Sequence, residues 1–436
     1  MGFLALAVAL VAGVWHFSPW FRTWALGKVD QARGAAIHYD LLDQVEARNI
    51  RQEMTADPSR SRVIQWQSDY PVKEPVLEYR KTGESSLTAA SVTEEKFTDG
   101  GKDTWIYTAR LEPLEPGQSY EYRIRAGKKA TAWMPLQAFA GNTFKALIFP
   151  DSQSADYSVW KATAQPAWQR NPDASFFVNM GDLVDNGEDS SQWNAWFGVV
   201  EPMAEKIPVA PLMGNHETYD LNWKVRMPEG YLHRFALPDN GREKYRNQFY
   251  SFTVGDVHFV VLNTQNEELK EWEPELARDQ EAWFQEDMAR NRGKWNIVLM
   301  HKDPLQYAFD PATRPGRDRA EGFSPEGREW MPLFDRYGVD LVLSAHLHTY
   351  RNRGKIYDFQ RADRGPSYVI TGVAGDVRYP SLWKRHALDV TVAPQPETDN
   401  YLVLEKQEDQ LRIQCFLPDG TLVDTVTVRK SGEKAW

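Results

Sequence analysis

Side chains able to hold metal ions close five apolar runs of this chain. FKALIFP is followed by Asp151, ASFFVNMG by Asp182, VAPLMG by Asn215 and His216, WNIVLM by His301, and VDLVLSA by His346 and His348. Turn preferences explain a lone Asp or Asn after a strand. They do not supply three histidines at the same kind of position. With Cys415 as the only cysteine, the chain forms no internal disulfide and no thiolate cage, so a metal site must use oxygen and imidazole donors. One ion leaves this donor set over-supplied, whereas two ions sharing a carboxylate use every member. A pair of ions lowers the pKa of water and neutralises charge during in-line displacement at phosphorus, which is the chemistry of phosphoester hydrolysis. His346 and His348, one residue apart, are expected to project to the same side of an extended chain.

For these residues to meet, the runs that carry them must be strands of α/β layers, because ligands collect beyond the carboxyl ends of such strands. From Phe144 onward, apolar runs alternate with amphipathic stretches of helical length. The stretch from Glu267 to Arg292, with Leu269, Trp272, Leu276, Trp283, Phe284 and Met288 among charged residues, is the strongest helix candidate. Before that region, SRVIQWQSDY, PVLEYRKTG, DTWIYTARL, SYEYRIRAG and WMPLQAFA have the length and turn spacing of a small β-sandwich, placed over residues 37–143. After it, YLVLEKQEDQLRIQCFLPDGTLVDTVTVRK reads as hairpins, with Asp419-Gly420 a turn. There is no internal repeat.

With 436 residues and 42% apolar content, the chain has ample material for a small domain and a larger one. A formal net charge of -10 and no long Lys/Arg cluster argue against binding to a nucleic-acid duplex. Phe3 to Phe21 carries no formal charge and is followed by Arg22, Lys28 and Arg33. Residues 1–27 therefore read as a signal or anchor segment, just long enough to span a bilayer, which places the catalytic part outside the cytoplasm, exported or membrane-anchored.

Taken in order, D-S-Q (Asp151 to Gln153), G-D-L-V-D-N-G (Gly181 to Gly187), G-N-H-E (Gly214 to Glu217), V-L-M-H (Val298 to His301) and S-A-H-L-H-T-Y (Ser344 to Tyr350) resemble the calcineurin-like metallophosphoesterase superfamily. The sandwich, of fibronectin type III-like kind, and the closing hairpin resemble its purple acid phosphatase branch. The resemblance implies a four-layer α/β/β/α catalytic domain over residues 144–432 and an acid phosphatase-like hydrolase with two divalent ions. It implies that Asp151, Asp182 and His348 bind one ion, and that Asp182, Asn215, His301 and His346 bind the other. His216 then serves the leaving-group oxygen, with Glu217 orienting its ring.

Departures from the pattern carry their own expectations. Purple acid phosphatases place a tyrosinate where this chain has Asp185, so a colourless protein is expected, and zinc, manganese or iron(II) all suit the donor set. Gln153 replaces a histidine found in many relatives and reads as a weak ligand or a support for the centre, as does Asp185. Two histidines that plant relatives carry upstream of E-G are here Arg317 and Asp318, while Arg314, Arg317 and Arg319 offer a bidentate grip on phosphate. Tyr350 is a further candidate for the pocket. The implied substrate is a phosphorylated small molecule or lipid. Alternatives are a phosphodiesterase for nucleotides or lipid headgroups, and a non-catalytic surface binding protein with a relic phosphatase domain. Histidines 16, 38, 233, 258 and 386, and the tryptophans 193, 196 and 223, read as structural or as pocket wall.

Overall fold

The computed structural model describes Val14 and residues 18–430. Two sheets stack through an aromatic layer. In the first, strands Phe144–Phe149, Phe176–Asn179 and Val209–Pro211 run parallel, and the antiparallel hairpins Tyr401–Gln407, Gln410–Phe416 and Leu422–Arg429 extend one flank. In the second, Val257–Leu262, Trp295–Met300, Leu341–Ser344 and Ser367–Thr371 run parallel, flanked by antiparallel Tyr250–Val254 and Tyr350–Tyr357. Apart from Lys145, these central strands are buried along their whole length, which explains why they read as continuous apolar runs rather than alternating ones. Phe252 and Phe259 stack at 4.6 Å between the sheets, and Phe176 meets both edge-on at 5.9 and 5.6 Å.

Helices cover the outer faces. Tyr157–Arg170 and Ser190–Ala204 lie on the first sheet, where Trp160 packs on Phe149 at 5.0 Å and stacks with Trp196 at 6.3 Å. Leu276–Arg290 and Pro325–Arg336 lie on the second, joined by Phe284 and Trp330 at 5.5 Å. The result is the α/β/β/α order expected from the sequence. The helix expected from Glu267 to Arg292 is divided into Asn266–Leu269 and Leu276–Arg290. Pro274 lacks the N–H that an uninterrupted helix would use, and its ring excludes the preceding turn.

The β-sandwich has its own core around Trp66, Leu77, Tyr107 and Tyr122, yet it is not a free-standing unit. Arg48–Glu53, Arg62–Ser68, Lys102–Leu111 and Val92–Asp99 continue the first catalytic sheet, giving ten strands among the described residues. Within the sheet the junction is one parallel pairing: Glu53 pairs with Val209, and the Met54 N–H donates to Val209 O at 2.9 Å. Beside it, Arg51 and Glu53 form a buried ion pair at 3.0 Å, and the Arg51 guanidinium lies 4.4 Å from the Phe197 ring centre. Short strands around Pro75–Lys81 and Ser119–Ala126 form the second sheet of the sandwich.

Most of the apolar run from Phe3 to Phe21, His16 included, lies outside the described residues. The helix Pro19–His38 begins within it, capped by the Ser18 hydroxyl, and continues past residue 27 to the start of the sandwich. It is docked on the catalytic domain. Arg22 pairs with Asp156 at 2.6 Å, and the Thr23 hydroxyl donates to Ala155 O at 2.8 Å. No helix among the described residues is long and apolar enough to cross a membrane.

Because Phe259 is fully buried where the two sheets meet, Phe259→Ala is expected to destabilise the fold by about 3–5 kcal/mol in urea denaturation. A change below about 1 kcal/mol would mean that the aromatic layer is not a principal contact between the sheets.

Candidate metal centre

The five strand ends converge on one rim shared by both sheets. Asp151, Asp182 and Asn215 arrive from the first sheet, and His301, His346 and His348 from the second. Two donor groups result: Asp182 with His301 and His346, and Asp151 with Asp182 and His348, the donor atoms of each lying within 4.8 Å of one another. Asp182 belongs to both. The His301 Nδ1–H donates to Met180 O at 2.9 Å, and the His348 Nδ1–H donates to Val377 O at 2.8 Å. Each ring therefore turns Nε2 into the pocket. His301 Nε2 lies 3.1 Å from Asp182 Oδ2 and 3.3 Å from Asn215 Oδ1, and His348 Nε2 lies 3.6 Å from Asp151 Oδ1.

At these distances the facing nitrogen and oxygen atoms can share either a proton or a metal cation. The donor chemistry fits a metal cation, with carboxylates, an amide and imidazoles and no sulfur. Gln153 adds to the fit. Its buried Oε1 has no hydrogen-bond partner, while its Nε2 lies 3.1 Å from His348 Nε2 and 3.4 Å from Asp182 Oδ2. The side chain is thus placed to support the group of Asp151, Asp182 and His348 through a ligand or a bound water.

The electrostatics mark the same spot. Burial pushes His348 down to about 4 and His346 well below its ordinary value, so both rings are neutral donors at pH 7. Burial also raises Asp151. For Asp182, burial works against ionisation, but His301, His216 and His346 outweigh it and hold the carboxyl below the usual range. His301 loses favour as a cation through burial but is carried up to about 9 by Asp182 and Asp151. A proton and a metal ion therefore compete for the space beside Asp182.

The backbone that delivers these groups differs from the expected one. His346 and His348 are not successive residues of an extended strand; their φ angles are +71° and +52°. The strand stops at Ser344, and the left-handed turns swing both rings inward while the His346 N–H donates to the Asp151 carboxylate at 3.0 Å. Asp182, at φ +49°, makes a similar excursion. Such residues cost of order 1–3 kcal/mol each and persist where their surroundings hold them. Here Gly214 is required by close approach, since a Cβ on it would lie 2.1 Å from Asp182 Oδ1.

The expected roles of two acidic neighbours are exchanged. Glu217 does not orient His216; its buried carboxylate accepts the N–H groups of Asp182 at 2.9 Å, Leu183 at 2.8 Å and Gly214 at 2.7 Å, and so shapes the turn that carries the shared aspartate. Asp185 holds His216, whose Nδ1–H donates to the Asp185 carbonyl at 2.8 Å with the Asp185 carboxylate at 3.3 Å. The 3-10 turn His216–Thr218 sends adjacent side chains in different directions, so sequence adjacency misassigns the partner. Burial disfavours a charged His216, but Asp182 and Asp185 outweigh it and raise its pKa to about 10.

The donors open into a cavity of about 470 Å³ that is also lined by Lys302, Arg319, Tyr379 and Trp383. Arg314 and Arg317 are exposed and lie outside that lining, whereas Arg319 belongs to it. Tyr350 is buried at the start of its strand, its hydroxyl donating to Asp424 at 2.9 Å, and it does not line the cavity. Trp193 and Trp196 are core, and Trp223 stands exposed with its ring 5.8 Å from that of His216. His258 is paired with buried Asp287 at 2.7 Å, away from the cavity. Lys302, next to His301, was open to inference from sequence; nothing in the sequence singled out Trp383 or Tyr379.

The calcineurin-like phosphoesterase family matches residues 144–350, and the purple acid phosphatase N-terminal domain matches residues 47–140. The chain carries a calcineurin-like phosphoesterase domain behind a purple acid phosphatase N-terminal domain. Purple acid phosphatase 15 of Arabidopsis thaliana is 27% identical over 214 residues, covering 48% of this chain and 36% of that protein. Human acid phosphatase type 7 is 26% identical over 352 residues, covering 72% of this chain and 75% of its own length. The chain thus spans about a third of the first relative and three quarters of the second. A purple acid phosphatase from yellow lupin seeds shares the fold of this chain with a TM-score of 0.71 at 18% identity, covering 88% of this chain and 75% of that one.

Two outcomes follow for the centre. Zinc titration of the apo-protein is expected to release protons, with affinity falling about tenfold per pH unit below neutrality for each proton displaced; calorimetry in buffers of different ionisation enthalpy measures it. Affinity independent of pH between 5 and 8 would contradict this. Gly214→Ala is expected to weaken metal binding by about 10- to 100-fold by displacing Asp182, as read by equilibrium dialysis.

Proposed function

We propose that this protein is a metal-dependent phosphoester hydrolase acting on phosphate monoesters of small molecules or lipids. The observation that carries the reading is the pair of donor groups meeting at Asp182 beneath a cavity that also contains His216. Two divalent cations held by Asp151, Asp182 and His348, and by Asp182, Asn215, His301 and His346, would supply water activation and neutralise phosphoryl charge. Zinc, manganese and iron(II) all suit these donors. The chain's own residues do the rest. His216, fixed through Nδ1 by Asp185, keeps Nε2 for the leaving-group oxygen, and the Asp185 carboxylate beside it favours the protonated ring. Glu217 holds the turn of Asp182, and Gln153 braces His348. Retention of the complete donor set together with His216 argues against a relic domain.

We also propose that the enzyme is exported and works at a membrane surface. The support is the uncharged run from Phe3 to Phe21 together with Trp20 and Trp24, exposed by 58% and 42% on the helix that begins within it; tryptophan favours the bilayer interface. Co-flotation with phosphatidylglycerol vesicles is expected for the full chain and is expected to be lost when residues 2–24 are removed; flotation of neither form would refute this placement.

Purified protein loaded with manganese, zinc or iron(II) is expected to hydrolyse p-nitrophenyl phosphate without a purple colour. His216→Ala is expected to cost about 10²- to 10⁴-fold in kcat with metal content unchanged. A wild-type protein inactive with all three metals would overturn the assignment.

A further inference from the structure

Two cations line the wall of the catalytic cavity, and only one is neutralised. Lys302, directly after His301, has its Nζ 2.8 Å from Glu268 and 3.7 Å from Glu326. Arg319 has no hydrogen-bond or ion-pair partner among the described residues. Its guanidinium instead lies 5.7 Å from the ring centre of Phe309 and 5.3 Å from that of Trp383. Those two rings stack on each other at 5.3 Å, 19° from parallel. Trp383 is in turn tied to the metal loop, its Nε1–H donating to the carbonyl of Leu347, the residue between His346 and His348. The aromatic platform therefore fixes the guanidinium relative to the centre while leaving all of its N–H donors unpaired. Burial, which opposes its charge, is only partly offset by Asp303 and Glu326. A half-buried fork of this kind is completed by a planar pair of oxygens, as a phosphate presents.

We propose that Arg319 binds the transferred phosphoryl group and makes the enzyme selective for dianionic monoesters over monoanionic diesters; this rests on the phosphohydrolase reading above. A monoester has three terminal oxygens and close to two charges, so with cations held by both donor groups it would meet each of them and still offer an oxygen to Arg319. A diester has two terminal oxygens and one charge, so both are consumed at the centre and the guanidinium meets an ester oxygen. Lys302 does not substitute, because Glu268 and Glu326 already hold it.

The test compares p-nitrophenyl phosphate with bis(p-nitrophenyl) phosphate on wild type, Arg319→Gln and Arg319→Lys, with metal content and thermal unfolding as controls. Arg319→Gln is expected to lower kcat/KM for the monoester about 10- to 100-fold, mainly through KM, and to change the diester less than about threefold. Arg319→Lys is expected to recover part of the loss, because it keeps the charge without the fork. Calorimetry of inorganic phosphate binding to the metal-loaded protein is expected to weaken in parallel in Arg319→Gln. Equal losses on both esters would reduce Arg319 to a support for Trp383 and overturn the inference, as would no loss on either. A wild type that turns over neither ester would instead overturn the hydrolase reading, and the selectivity with it.

Discussion

Everything at the rim of this molecule is organised around oxygens and nitrogens that would repel one another without positive charge between them. Asp182 is the centre of that arrangement, since it completes both donor groups and is approached by His301 from one sheet and by the backbone N–H of His216 from the other. Burying such a set is unfavourable unless a cation or protons balance it. The fold makes the balance possible by fixing the donors on two rigid sheets before any ion arrives. Ions held there would be as much a part of the folded state as of the chemistry.

A second layer of residues keeps the first in place. Glu217 gathers the N–H groups of Asp182, Leu183, Val184 and Gly214, Asp185 aims His216, and Gln153 touches His348. Below them, Asp303 accepts from Ser344 at 2.6 Å and from Arg353 at 2.7 Å, so the strand that ends in the histidine pair is braced by a buried ionic network that includes Asp389 and Arg351. Removing one partner from such a network leaves an uncompensated charge, which makes the platform unforgiving of change.

Much of this was legible in the chain itself, for a physical reason. Each donor directly follows a buried parallel strand, and such strands show up as uninterrupted apolar runs, so Asp151, Asp182, Asn215 and His301 could be placed on one rim without coordinates. What stayed hidden depends on information the residue types do not carry. The left-handed turns at Asp182, His346 and His348 are held by contacts from distant segments, not by local preference. The roles of Asp185 and Glu217 exchange because a tight turn separates chain neighbours in space. Trp383 reaches the cavity from an irregular segment with no periodic signal. The sandwich looked like an independent unit because it carries its own core; within the sheet one parallel pairing between Glu53 and Val209 joins it to the rest, and side-chain bonds such as Tyr122 to Glu205 O and Arg226 to Asp99 add to the join.

That single pairing has an architectural consequence. Were the first 143 residues cut away, the short strand Val209–Pro211, which precedes the loop bearing Asn215 and His216, would become a naked, sticky border with unsatisfied peptide groups. The accessory module therefore acts as a seal on the catalytic half, and the two are best understood as one object that cannot be trimmed at its apparent joint.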